Sequence, residues 1–180
     1  RRMSFIKDSY GWMGRILHID LTTGVWSTES LAPELRERFI GGKGLAGWFL
    51  RPFCTLSWDH PSMPLLLFTG PLNATISPTS GRAVLMSRSP LTGGIADSSM
   101  GGRMATQLKR AGYDGLIVTG RAPGMCGIEI KDQEVRIHAD NALAGLTSDR
   151  VHGYADARLD KAGSLMCVGP AAENGVLFSS

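Results

Sequence analysis

Glycine places the strongest constraint on this chain: it supplies 23 of 180 residues, about 13% against a typical ~7%. The glycines follow no collagen period and sit in no Pro/Ser-rich linker. They gather as Gly41-Gly42, Gly93-Gly94 and Gly101-Gly102, between stretches that read as regular structure. Many backbone positions must therefore need a positive φ or a close approach to another segment.

Between the glycines there is enough apolar material for one core, since 43% of residues are hydrophobic. Nineteen basic and 16 acidic residues leave a net charge of +3 spread along the chain, without the clustered basic footprint of a nucleic-acid binder. No apolar run nears the roughly 18 residues of a membrane span. Cys54, Cys126 and Cys167 form no C-x-x-C pair for zinc, an iron-sulfur cluster or a dithiol switch. Such sparse use suits a reducing compartment, and the reading is cytoplasmic. Arg1-Arg2 resembles a twin-arginine signal, but Asp8, Ser9 and Tyr10 stand where its apolar region should begin. A first residue that is Arg, and an ending inside the apolar run from Val176 to Ser180, suggest a piece of a longer protein.

Period-two alternation of Leu17, Ile19 and Leu21, followed by Thr22-Thr23-Gly24 and Val25 to Thr28, predicts a β-hairpin. Pro33 to Ile40 predicts a short helix that stops at Gly41-Gly42, and Leu45, Trp48 and Phe49 predict a second. Leu65 to Phe68 and Ala83 to Met86 read as strands, the first running into Gly70-Pro71. The second half repeats this order: a hairpin from Cys126 to Ile137, a helix from Thr147 to Leu159, a strand from Leu165 to Val168, then Gly169-Pro170. The predicted fold is α+β, a duplicated repeat of hairpin, helix, strand, Gly-Pro loop and strand, with pseudo-twofold arrangement. Between the halves, Ser89 to Gly120 reads as a glycine-rich loop followed by a helix from Arg103 to Ala111 and the strand Leu116 to Val118. This is where a ligand is expected.

Gly42-Lys43-Gly44-Leu45-Ala46-Gly47 spells the dinucleotide fingerprint G-x-G-x-x-G. That pattern has meaning only between a strand and a helix, and a charged helical stretch precedes it here. The same residues suit a tight helix-helix turn, or an anion site made of free helix amides beside Lys43. Ser98 to Gly102 offers a second set of amides, and Arg82 a planar fork that can bind two acceptors at once. Taken alone, Arg82 is more often a structural arginine. The histidines His18, His60, His138 and His152 show neither i, i+4 spacing nor H-E-x-x-H. His18 and His138 fall on the polar phase of their hairpins, and Asp156 and Asp160 on the polar face of a helix. No catalytic acid-base set emerges.

Six segments occur in order: Met13 to Gly24, Gly41 to Ala46, Thr69 to Leu72, Ser89 to Gly94, Ala111 to Gly115 and Gly169 to Asn174. Together they resemble the N-terminal domain of the aldehyde ferredoxin oxidoreductase family, over about Trp12 to Ser180. The resemblance implies an N-terminal arm over 1–12 and a tungstopterin-binding domain over 13–180, truncated at its C-terminal end. It implies a bis-pyranopterin (molybdopterin) cofactor holding tungsten or molybdenum, with phosphate tails and a shared magnesium ion. Arg82 would bridge a pterin and a [4Fe-4S] cluster held by residues outside this chain. Ser99, Gly101 and Gly102 would bind pterin through the main chain, with the Ser99 carbonyl on magnesium; Ser99 stands where the family carries Asn. Arg103 replaces a usual aromatic, and Lys43 stands where the family often has Arg, keeping the charge without the bidentate fork. The implied reaction oxidises a small aldehyde to its carboxylic acid with ferredoxin as acceptor. Helical C-terminal domains of the same protein would complete the site, so the chain alone would be inactive. The residues themselves leave open a metal-free nucleotide-binding or scaffold module built on Gly41 to Gly47.

Overall fold

The computed structural model describes residues 10–139, 141–157 and 163–177. The Arg1-Arg2 start, the end of the helix expected to reach Leu159, and the final residues to Ser180 lie outside them. Among the described residues no helix is long and apolar enough to cross a membrane.

The centre of the fold is a six-stranded mixed sheet in the order β2-β1-β6-β3-β4-β5. Strand β1 (Arg15–Asp20) and β2 (Val25–Ser30) form the first hairpin, with Ile19 opposite Trp26. Its turn is held by Asp20, whose Oδ1 accepts from the Thr22 amide at 2.8 Å. That bond holds the Asp20 carboxyl below its ordinary pKa. Strand β6 (Gly115–Thr119) lies parallel to β1 and antiparallel to β3 (Leu65–Phe68). Strands β4 (Ala83–Arg88) and β5 (Ile95–Met100) complete the sheet as an antiparallel pair.

Both faces of the sheet are covered, which is why β3 reads as a continuous apolar run while β2, an exposed edge strand, does not. On one face Ile16, Leu66, Phe68, Val84, Met86 and Ile117 meet Leu45, Ala46 and Leu50 of helix α2 (Gly42–Leu50), which follows the short helix α1 (Pro33–Arg38). On the other, Leu17, Ile19, Leu67, Ala83 and Leu116 meet Ala105 and Leu108 of α3 (Met104–Arg110). A second hairpin, β7 (Cys126–Lys131) and β8 (Glu134–Ala139), lies on this same face through Ile128, Ile130, Val135 and Ile137. Helix α4 (Ser148–Asp156) and the single turn α5 (Pro170–Glu173) follow.

The mixed α+β class agrees with the sequence, but the duplicated repeat is not confirmed. The first hairpin joins the six-stranded sheet, whereas β7 and β8 pair only with each other among the described residues. Leu165 to Val168, expected as a strand, runs irregularly into α5, with Met166 and Val168 exposed. A four-residue apolar run becomes a strand only where a neighbouring edge accepts its backbone hydrogen bonds. The glycine-rich stretch after Ser89 differs in the opposite sense. Ser89 to Gly94 is a turn, closed by Ser89 N to Gly94 O at 2.8 Å and Gly93 N to Ser89 O at 3.0 Å, and Ile95–Met100 returns along β4 as an edge strand.

A candidate cofactor-binding face

The outer edge of the sheet and the start of α2 carry the candidate residues. Antiparallel register places Ser99 opposite Val84 and Asp97 opposite Met86. Val84 and Met86 contribute to the core beneath α2. Side chains alternate along a strand, so Asp97 and Ser99 share that face, while Arg82 stands one residue before β4, outside the strand. At this end of the pair the segments flanking β4 and β5 meet: a Cβ on Gly81 would lie 3.5 Å from the Gly102 carbonyl oxygen. Arg82, Ser99, Gly101 and Gly102 are all exposed, and no ion pair engages Arg82 among the described residues.

Lys43 reaches the same face from the first turn of α2. The turn that places it requires glycine at 41, where φ is +93° and a Cβ would stand 2.4 Å from the Thr69 carbonyl oxygen and 2.8 Å from the Gly70 Cα. Across the sheet, a Cβ on Gly42 would touch Val84 Cγ2 at 3.4 Å. The Lys43 Nζ is bonded to Asp97 Oδ2 at 2.6 Å, with side-chain exposures of 61% and 31%. Asp97 thus cancels one of the two cations expected to meet an anion, leaving Arg82 as the uncompensated charge.

The amides behave differently from the expectation of a loop poured into a helix start. Ser99 belongs to β5, an edge strand with one row of unpaired carbonyls and N-H groups facing outward. Gly101 and Gly102 follow it, Gly102 at φ +78°, and a Cβ on either would meet nothing within 4 Å. Open backbone therefore lies close to the Gly81-Arg82 segment. Arg103 is turned away, its Nη2 donating to the Gly163 carbonyl at 3.0 Å.

The dinucleotide reading of Gly42 to Gly47 lacks its context, because the chain enters α2 from helix α1 and a short extended link rather than from a strand. Its glycines serve packing instead: a Cβ on Gly44 would press on Phe39 at 3.0 Å. His18 is half-buried rather than fully solvent-facing, with Nε2 at 2.8 Å from Glu29 Oε2. Among the described residues no three His, Cys, Asp or Glu side chains are placed to hold a metal ion.

Three polar features escaped the sequence reading: the Lys43–Asp97 pair, the buried side chain of Asn73, and a buried pair between Lys109 and Asp114 at 2.5 Å. Asn73 follows Pro71-Leu72 in a turn-rich stretch, where Asn commonly binds nearby backbone. That was the one local signal available.

Residues 16–180 match the N-terminal domain of aldehyde ferredoxin oxidoreductase. The chain belongs to this family. It is 34% identical over 174 residues to the tungsten-containing aldehyde ferredoxin oxidoreductase of Pyrococcus horikoshii, covering 95% of this chain and 29% of that protein. The enzyme of the same name from Thermococcus kodakarensis is 34% identical over 178 residues, with the same two coverages. The WOR-like subunit of an aliphatic sulfonate oxidoreductase from Pyrococcus furiosus is 29% identical over 133 residues, or 71% of this chain and 21% of that one. Among solved structures, a chain of the active site complex BamBC of benzoyl coenzyme A reductase, in complex with 1,5 dienoyl-CoA, aligns with a TM-score of 0.89. It shares 28% identity over 94% of this chain and 26% of its own length. This chain spans under a third of the length of the tungsten-containing relatives it matches, 29% in the first of them.

Proposed function

We propose that this chain is the cofactor-binding base of an oxidoreductase that converts an aldehyde to its carboxylic acid and passes two electrons to ferredoxin. The observation that supports the reading is the exposed backbone of Ser99, Gly101 and Gly102, with Gly81, next to Arg82, packed close to Gly102 and Lys43 paired with Asp97 of the strand that carries Ser99. The donor set fits the implied group: N-H and cationic donors suit phosphate tails, and outward carbonyls of an edge strand suit magnesium. When bound, a bis-pyranopterin with tungsten or molybdenum would supply the redox chemistry, RCHO + H2O giving RCOOH with two electrons and two protons.

The protein's part in that reaction is placement and charge. Arg82 would hold a fixed positive charge against the cofactor's anionic groups. Gly101 and Gly102 let the backbone approach closely because no side chain intervenes. Lys43 adds a cation to the extent that Asp97 releases it. The substrate chemistry would fall to the helical domains of the same protein that the family resemblance implies. The chain alone is expected neither to oxidise aldehydes nor to retain tungsten.

Aldehyde-dependent reduction of a viologen dye by the full-length protein, with metal content measured in parallel, tests the proposal. Arg82→Ala should leave stability within about 0.5 kcal/mol, as exposed substitutions do, while tungsten retention or electron transfer falls. Equal activity and equal tungsten in the two proteins would remove Arg82 from the site.

A further inference from the structure

The segment that delivers Arg82 to the face is irregular from Thr69 to Arg82, yet it leaves and re-enters the sheet at neighbouring points, since Phe68 stands opposite Val84. It holds two non-glycine residues in left-handed conformation, Ala74 at φ 62° and Thr79 at φ 59°. Such residues persist only where the surroundings over-determine them. Half of the segment is exposed, but Asn73 is 4% exposed. Its side chain joins both ends: Oδ1 accepts from the Gly70 amide at 2.5 Å, and Nδ2 donates to the carbonyls of Ser80 and, at 3.1 Å, Arg82. The orientation of the amide is forced, because Gly70 offers only a donor and the other two only acceptors. An aspartate would lose both donors, and an alanine would strand all three backbone groups.

We propose that Asn73 is the positioning residue for Arg82: by tying the Arg82 carbonyl to the end of β3, it fixes the point from which the guanidinium projects onto the anion face. This rests on reading Arg82 as an anion contact. Asn73 itself touches no ligand and contributes through the backbone of its partner. Rigid support of this kind decides how well a first contact is placed.

The test uses inorganic phosphate as probe, titrated by NMR into the full chain at fixed ionic strength, with wild type, Asn73→Ala, Arg82→Ala and the double variant. Arg82→Ala should weaken phosphate binding roughly threefold or more, the loss of one charge-assisted contact. Asn73→Ala should weaken it by a similar or smaller factor in the wild-type background and leave it unchanged in the Arg82→Ala background. A merely structural role would lower the melting temperature without that dependence on Arg82. Should Asn73→Ala fail to fold, Asn73→Ser, which keeps a hydroxyl near Gly70, carries the same cycle. Unchanged affinity in the Asn73 variant beside a weakened Arg82→Ala, or equal losses in both backgrounds, would overturn the positioning role. Wild-type affinity in Arg82→Ala would instead sink the Arg82 reading, and the inference with it.

Discussion

Asp114→Ala is the substitution expected to damage this fold most for its size. Asp114 is fully buried at the start of β6, and Lys109, at the end of α3, is 2% exposed. The Asp114 Oδ1 accepts from Lys109 Nζ at 2.5 Å and from the Met13 amide at 3.0 Å, and its Oδ2 accepts from the Gly14 amide at 2.6 Å. Lys109 also donates to the Gly11 carbonyl at 2.7 Å and sits 5.3 Å from the Trp12 ring centre. One carboxylate thus fastens the segment before β1 to the turn after α3, across about 100 residues of sequence. Breaking a buried pair from one side costs about 3–5 kcal/mol, because a charge is left without its partner. Two stranded amides would each add up to about 1–3 kcal/mol, overlapping with the first figure rather than summing with it. A loss of about 4 kcal/mol or more is expected, against a typical total of about 5–15 kcal/mol. Lys109→Met should cost less, since Asp114 keeps its two amide donors, and the double variant should cost less than the two losses added. Urea unfolding followed by far-UV circular dichroism on the four proteins measures the cycle. A loss under about 1 kcal/mol for Asp114→Ala, or strict additivity, would refute the reasoning. The pair also leaves a signature in pH. Burial pushes the Lys109 pKa below its ordinary 10.5, despite the opposing pull of Asp114. Between the lowered value and 10.5 the unfolded chain binds more protons than the folded one, so stability rises with pH in that window. Lys109→Met should abolish the rise.

What the sequence disclosed and what it hid separate along physical lines. β1, β3, β4 and β6 were legible because they face a core on one or both sides, and burial writes itself into apolar alternation or apolar runs. β5 was not, because Ile95-Ala96-Asp97-Ser98-Ser99-Met100 is an exposed edge whose place is set by the turn at Gly93-Gly94 and by pairing with β4, and neither leaves a periodic trace. Leu165 to Val168 shows the converse, an apolar run without a strand partner among the described residues. The same distinction runs through the candidate face. Arg82, Lys43, Gly101 and Gly102 could be named from glycine punctuation and charge type, together with the family resemblance. Asp97 could not be matched to Lys43, since the contact joins α2 to β5 across the sheet edge. Asn73 was hidden because its three partners are backbone atoms, whose identity no side-chain pattern records.

Gly41→Ala is expected to cost about 1–3 kcal/mol, because φ +93° disfavours a side chain and the new Cβ would strike backbone at Thr69 and Gly70. Gly101→Ala, with open space around it, should stay within about 0.5–1 kcal/mol; thermal unfolding of the two variants checks the contrast, and equal losses would remove the steric argument. Asp97→Asn addresses the charge on the candidate face. The Lys43–Asp97 pair is exposed enough that its removal should change stability by only about 0–1 kcal/mol. Its effect on anion binding should be larger, for the substitution both frees the Lys43 ammonium and deletes a negative charge from the face. Phosphate affinity at low ionic strength is therefore expected to rise several-fold in Asp97→Asn, and the gain should shrink as added salt screens charges beyond about 8–10 Å. Lys43→Ala in the same background should erase the part of the gain that passes through the lysine. If Asp97→Asn binds phosphate no better than wild type, Lys43 is committed to its ion pair and takes no part in holding an anion, and the face would rest on Arg82 and the open backbone alone.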